Sequence, residues 1–259
     1  LPICQIYREA DRIVGRVLDR MDAGELGDDA LLMIVSDHGF TSWRRSINLN
    51  NILAEKGWLA LKDGMTLDEY LESGRPMDIL QFVDWENTKA YSMGLGKIFV
   101  NLEGHEPKGV VPPAEYDQVV EAIRAELMAV EDESGTRLFT SLMRRDELFS
   151  GPWWEEGRAT RLKRGQEEEV ANDGFADLFV GFVPFHRIAG STTMGGLGRS
   201  AIIDNEGHWS GDHVSVDPDH VPGVLFTSQP VAGSRVVGLP DIGPTVLQRY
   251  GLDPAETDM

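Results

Sequence analysis

Three places in the chain put a carboxylate directly before an imidazole, and two of them, Asp37-His38 and Asp212-His213, are next to a glycine. The third, Asp219-His220, is predicted to lie on an exposed loop. Carboxylate oxygens and neutral imidazole nitrogens are ligands that zinc accepts, and a tight turn can direct neighbouring side chains to one ion. Each pair also has a simpler interpretation, a strand-end Asp that caps a turn or an ordinary polar loop. Two such loops in one chain, both near apolar strands, favour a metal site.

The first pair follows an apolar run, residues 31–35, and is followed by Gly39. A run this short predicts a strand of a parallel sheet covered on both faces rather than a helix. In open α/β sheets ligands bind beyond the carboxyl ends of the strands, which is where Asp37 and His38 are expected. The second pair precedes another predicted strand, residues 221–227.

Strands and helices alternate along the remaining sequence. Apolar spacing and capping residues predict helices over 7–21, 48–56, from 66, 116–130 and 240–250. Apolar and β-branched runs predict strands in 58–61, 83–111, 138–143 and 177–183, with a loop over 151–174. This alternation predicts the α/β class, with a central, mostly parallel sheet flanked by helices. Residues 83–150 are predicted to form a smaller inserted α+β lobe, and residues 1–82 and 151–259 the sheet domain.

Composition excludes several classes of protein. The formal net charge of -19, from 43 acidic and 24 basic residues, argues against binding to a nucleic-acid backbone. No apolar run approaches the roughly 20 residues that a membrane span needs. Cys4 is the only cysteine, so no intrachain disulfide can form. His186 and Arg187 are predicted to be an exposed basic pair, with contact to a substrate phosphate as the alternative.

Several short segments of the sequence, in a fixed order, are similar to segments of a known protein family. They are SDHGF (36–40), INLN (47–50), GWL (57–59), VDW (83–85), TKAY (88–91), IFVNL (98–102), SGDH (210–213), PGVLF (222–226) and DIGPTVL (241–247). Taken together, they resemble the type I phosphodiesterase/nucleotide pyrophosphatase group of the alkaline phosphatase superfamily. The resemblance extends over nearly the whole chain.

The resemblance implies an alkaline phosphatase-like fold and a phosphoester hydrolase with two divalent metal ions, usually zinc, with manganese or magnesium as alternatives. The substrate would be a small phosphate ester of unknown identity. Asp37 and His38 match the pair that holds the metal beside the nucleophile, and His213 matches a ligand of the other metal. Ligand bonds of about 2 Å and metals about 4 Å apart would bring these side chains within roughly 8 Å of one another.

One departure from the family concerns the nucleophile. Relatives carry, before the Asp-His pair, a further metal-binding Asp, a Thr or Ser nucleophile and an Asp-x-x-x-His pair, and residues 1–36 contain no such set. We therefore expect the chain to be the C-terminal portion of a longer hydrolase, shortened at both ends and inactive alone. The alternatives are a phosphomutase or sulfatase of the same superfamily, or a non-catalytic binding domain on the same fold.

Overall fold

The computed structural model describes residues 2–149, 175–214, 217, 219–231 and 236–253. The helices in these ranges are α1 (Pro2–Asp22), α2 (Leu49–Glu55), α3 (Leu67–Glu72), α4 (Tyr116–Met128), α5 (Arg145–Leu148), α6 (Gly190–Thr193) and α7 (Ile242–Arg249). The strands are β1 (Met33–Val35), β2 (Thr41–Ile47), β3 (Ala90–Ser92), β4 (Lys97–Val100), β5 (Phe139–Arg144), β6 (Leu178–Phe182), β7 (Phe185–Ile188), β8 (Ile202–Asp204), β9 (Gly211–Asp212) and β10 (Leu225–Thr227).

The chain divides into two compact units. Unit 1 comprises the described residues up to Asp37 and those from Gly223 onward, and unit 2 those from His38 to Pro222. The division therefore falls inside the first Asp-His pair. The inserted lobe predicted for residues 83–150 stays a prediction, and the loop predicted for residues 151–174 lies outside the described residues.

Unit 1 contains α1, β1, β10 and α7. Both helices confirm the sequence predictions, and each is followed by a glycine at positive φ, Gly24 (72°) and Gly251 (72°), where a side chain would be strained. The strand predicted at 31–35 forms as β1 but pairs antiparallel with β10, with Met33 opposite Thr227. This is not the parallel pairing that was predicted, because an apolar run identifies a strand without identifying its neighbour.

The described strands of unit 2 form two four-stranded sheets. In the first, which we call the β2 sheet, β2 is paired with β7, β8 and β9. In the second the order is β3-β4-β6-β5, and all its pairs are antiparallel. Among the described strands, β2 and β7 are the only two that pair parallel to each other. The mixed α/β class is thus confirmed, whereas a central, mostly parallel sheet stays a prediction.

Helix α4 packs against β5 of the second sheet. Its buried side chains are Val119, Val120, Ile123 and Leu127, which confirms the predicted helix and its apolar face. Such spacing places them on one side of a 3.6-residue helix. They belong to the main hydrophobic core, together with residues of both sheets.

Local signals near α2 and α3 differ in outcome. The predicted capping box at α3 is confirmed, since the Thr66 side chain accepts from the Glu69 amide and the Glu69 carboxylate accepts from the Thr66 amide. Asn48 occupies the N-cap of α2 without capping it, because its side chain bonds the 191–200 segment instead. The strand predicted at 58–61 is wrong: only Leu61 forms a single bridge there, to Val83.

None of the helices in the described ranges has the length and apolar content that crossing a bilayer requires.

Candidate metal site

The antiparallel pairing of β2 with β9 determines where the two histidines lie. Thr41, three residues after His38, is opposite Asp212, the residue before His213. Continuing this register beyond the pair brings His213 towards the residues that precede β2. The His38 and His213 rings are indeed stacked, with centroids 4.1 Å apart and an angle of 8° between their planes. The separation of the two imidazoles is within the expected distance of roughly 8 Å, whereas the convergence of Asp37 with them and metal ligation itself stay predictions.

The turn after His38 leaves no room for a side chain at position 39. The Gly39 N–H donates to the carbonyl oxygen of Val221 at 2.8 Å. A Cβ atom at position 39 would lie 2.6 Å from the carbonyl oxygen of Pro222. The close backbone approach fixes the chain on the C-terminal side of His38.

The hydrogen bond of the His38 ring fixes its tautomer. Nδ1 lies 2.8 Å from the carbonyl oxygen of Gly39, and because a carbonyl can only accept, Nδ1 carries the hydrogen. In a neutral ring the in-plane lone pair is then on Nε2. A metal-bound histidine is usually held in this way, with its other ring nitrogen donating to a carbonyl or carboxylate. His38 and His213 are both exposed, so an ion can reach them.

Asp37 belongs to unit 1. It lines a cavity of about 160 Å³ there, with the backbone around Ser36 and Gly223 and with residues 237–239. The Ser36 N–H donates to the carbonyl oxygen of Val224 at 3.0 Å, and the Ser36 hydroxyl accepts from the Val224 N–H at 2.9 Å. The Asp37 side chain is exposed. In the part of the chain that the structure describes, no group of three or more His, Cys, Asp or Glu side chains is gathered into a ready-made metal cluster.

The structure corrects the sequence prediction for Arg187, which is buried rather than exposed. Its guanidinium forms an ion pair with the Asp212 carboxylate, and the two side chains are 11% and 6% exposed. It lies over the rings of Trp43 and Trp209, 5.0 and 4.7 Å from their centroids. Burial lowers the pKa of Arg187, and the charge of Asp212 opposes that shift.

Asp212 therefore has a different environment from Asp37. One of its oxygens accepts from the His213 backbone N–H at 2.7 Å, and the other lies against Arg187. This arrangement was missed from the sequence because no strand was predicted over residues 185–188, where Arg187 lies. The available signal was two tryptophans, Trp43 and Trp209, each within five residues of a candidate histidine.

Comparison with known proteins gives one result. No curated protein and no solved structure matches the chain. The family model described as Type I phosphodiesterase / nucleotide pyrophosphatase matches residues 3–163, more than half of the chain. The match includes Asp37 and His38 and ends before His213. The chain therefore belongs to the type I phosphodiesterase/nucleotide pyrophosphatase family, whose members are phosphoester hydrolases.

Proposed function

We propose that this chain contributes to the metal site of a phosphoester hydrolase of the phosphodiesterase/nucleotide pyrophosphatase type, on an alkaline phosphatase-like fold. Asp37 and His38 would hold one divalent ion, and His213 would contribute to a second. The stacked pair of imidazoles is the observation that carries the proposal. Family membership supports the class of reaction independently of that geometry.

The angle between the rings favours two ions over one. The lone pair of an imidazole nitrogen lies in the plane of its ring, so a bound ion lies near that plane, about 2 Å from the nitrogen. The planes of His38 and His213 are nearly parallel and the centroids are 4.1 Å apart. A single ion cannot lie in both planes. One ion per ring agrees with the spacing of about 4 Å in two-metal hydrolases.

The side chains of this chain would act by binding and orienting. Asp37 must be ionised and both imidazoles neutral in order to ligate. The Gly39 carbonyl keeps the His38 proton on Nδ1, which leaves Nε2 as the ligand atom. Bound ions supply charge stabilisation at the attacking and leaving oxygens of a phosphate ester and lower the pKa of water.

We assign no residue of this chain as the nucleophile. We propose that it is a Thr or Ser outside residues 1–259, as in the family. The 259-residue chain should therefore bind metal but turn over phosphodiesters little above background. Turnover well above background that Asp37→Ala abolishes would contradict this expectation.

The experiment is a calorimetric titration of the 259-residue chain with zinc alone. We expect His38→Ala and His213→Ala each to weaken binding strongly and Asp37→Ala to weaken binding at the His38 ion. His208→Ala is the matched control, because His208 is also exposed and belongs to the same unit. Absence of zinc binding by the unaltered chain, or equal losses in the control, would refute the proposal and favour a non-catalytic binding domain.

A further inference from the structure

We propose that Arg187 is a positioning residue for His213. Its guanidinium, packed against two indole rings that meet edge to face, orients the Asp212 carboxylate, and that carboxylate holds the backbone from which the His213 ring stacks on His38. The expected effect on metal affinity rests on the proposed function. The effect of Arg187 on the position of the His213 ring does not, because it is expected in the metal-free chain as well.

The β2 sheet brings these groups together from three strands. Arg187 lies on β7, which runs parallel to β2 and places it opposite Ser46. Asp212 lies on β9, which runs antiparallel to β2. The Arg187 guanidinium lies over Trp43 of β2 and pairs with the Asp212 carboxylate. It thus links β9, which carries the carboxylate, to the backbone of β7.

The contacts of the Arg187 guanidinium indicate a structural role rather than binding to a substrate. Its central carbon lies 5.0 and 4.7 Å from the ring centroids of Trp43 and Trp209, which meet edge to face. One end of the guanidinium pairs with Asp212, and Nε donates to the carbonyl oxygen of Ile188 at 3.0 Å. Contact with two aromatic rings combined with an ion pair and a hydrogen bond from Nε is a set of interactions that arginine provides and lysine does not.

Asp212 transmits the position of Arg187 to the histidine. Its second oxygen accepts the His213 N–H at 2.7 Å, one residue from the imidazole that stacks on His38. Groups that orient metal-binding histidines without touching the metal change metal affinity about 10- to 100-fold when they are removed. We expect a loss of that size from Arg187→Met.

The first readout uses the metal-free chain. Stacked rings shift each other's protons upfield, so the imidazole proton resonances of His38 and His213 report the stack. We expect Arg187→Met to move them towards unstacked values and Arg187→Lys to do so in part. Arg44→Met is the matched control, because Arg44 is an exposed arginine that also lies over an aromatic ring, Phe185. Unchanged His38 and His213 resonances in a folded Arg187→Met variant would overturn the proposal.

The second readout is zinc affinity in a double-mutant cycle. If Arg187 acts through His213, Arg187→Met should cost 10- to 100-fold in the unaltered chain and nothing further in a His213→Ala background. An equal loss in both backgrounds would overturn the proposal, since it would indicate a general effect on the fold. Failure of the unaltered chain to bind zinc would refute the proposed function instead, and the ring resonances would still decide the positioning role.

Removing one member of a buried ion pair can prevent folding, so a milder variant accompanies Arg187→Met. Trp209 is 61% exposed and is one of the two indole rings that contact the Arg187 guanidinium. Trp209→Leu should therefore keep the fold, as judged by circular dichroism, and weaken the stack and zinc affinity in the same direction as Arg187→Lys. Unchanged resonances in folded Trp209→Leu and Arg187→Lys would count against the role of Arg187.

Discussion

Replacing Gly39 by alanine tests whether the close backbone approach after His38 shapes the site. The added Cβ would lie 2.6 Å from the Pro222 carbonyl oxygen and 2.9 Å from the Val221 carbonyl carbon. Both are backbone atoms, so no flexible side chain can move aside. Because Gly39 is not in the left-handed region, the effect is one of space rather than of backbone conformation.

The magnitude follows from two terms. Forcing an extra methyl group into a packed site costs about 1–3 kcal/mol. To relieve the clash, the backbone at Gly39 must move away from the backbone at Val221 and Pro222. This movement weakens the 2.8 Å hydrogen bond from the Gly39 N–H to the Val221 carbonyl oxygen, which is worth about 1 kcal/mol. We therefore expect Gly39→Ala to lower the free energy of unfolding by about 2–4 kcal/mol. It should also disturb the His38 ring, whose Nδ1 is bonded to the carbonyl of the altered residue.

The assay is urea unfolding followed by tryptophan fluorescence. All six tryptophans lie between residues 38 and 222, so the signal reports unit 2 and avoids mixing the transitions of the two units. Gly190→Ala is the matched control, since a Cβ there meets nothing within 4 Å. The steric argument fails if Gly39→Ala unfolds within about 0.5 kcal/mol of the unaltered chain and keeps its stacked imidazole resonances.

Two further substitutions test the core and the response to acid. Phe182 is fully buried with its ring 5.6 Å from that of Phe139, so Phe182→Ala should cost about 3–5 kcal/mol in the same urea assay, and a loss below 1 kcal/mol would contradict the packing. A hydrogen bond from the Ser134 hydroxyl, with backbone N–H groups, lowers the pKa of Asp132 to about 2. A lowered carboxyl pKa contributes stability that is complete above the ordinary carboxyl range and is lost as pH falls towards 2. Asp132→Asn should therefore lose stability at neutral pH and show a weaker decline between pH 5 and pH 2, and equal declines in the two proteins would exclude this role for Asp132.

The elements that sequence predicted well are those whose signals are local. Helices α1, α4 and α7 have apolar spacing and end signals within their own residues, and α3 has its capping box. Strands β7, β8 and β9 have two to four residues each and exist because β2 lies beside them. Their pairing joins residues more than 100 positions apart, and no local pattern encodes it.

The candidate site shows the same division. Residue types alone marked both Asp-His pairs, and the structure brings the imidazoles of His38 and His213 together. The two carboxylates could not be distinguished from sequence, because the environment of Asp212 depends on Arg187, a residue on another strand. Burial of an arginine is decided by its partners in space, so a basic pair in the sequence predicts a surface position by default.

Strand β2 explains why the histidines meet at all. In the sequence, the strongest signal near His38 is the apolar run that precedes it. Within unit 2, however, the position of His213 is determined by the residues that follow His38, because β2 pairs with β9. The same strand pairs with β7, which carries Arg187, and contributes Trp43 to the indole pair. A change that shifts the β2–β9 register by one residue would turn the paired side chains to opposite faces and separate the two rings. The geometry of the candidate site is thus a property of strand register, and variants that leave every candidate ligand intact should still abolish the stack if they disturb that register.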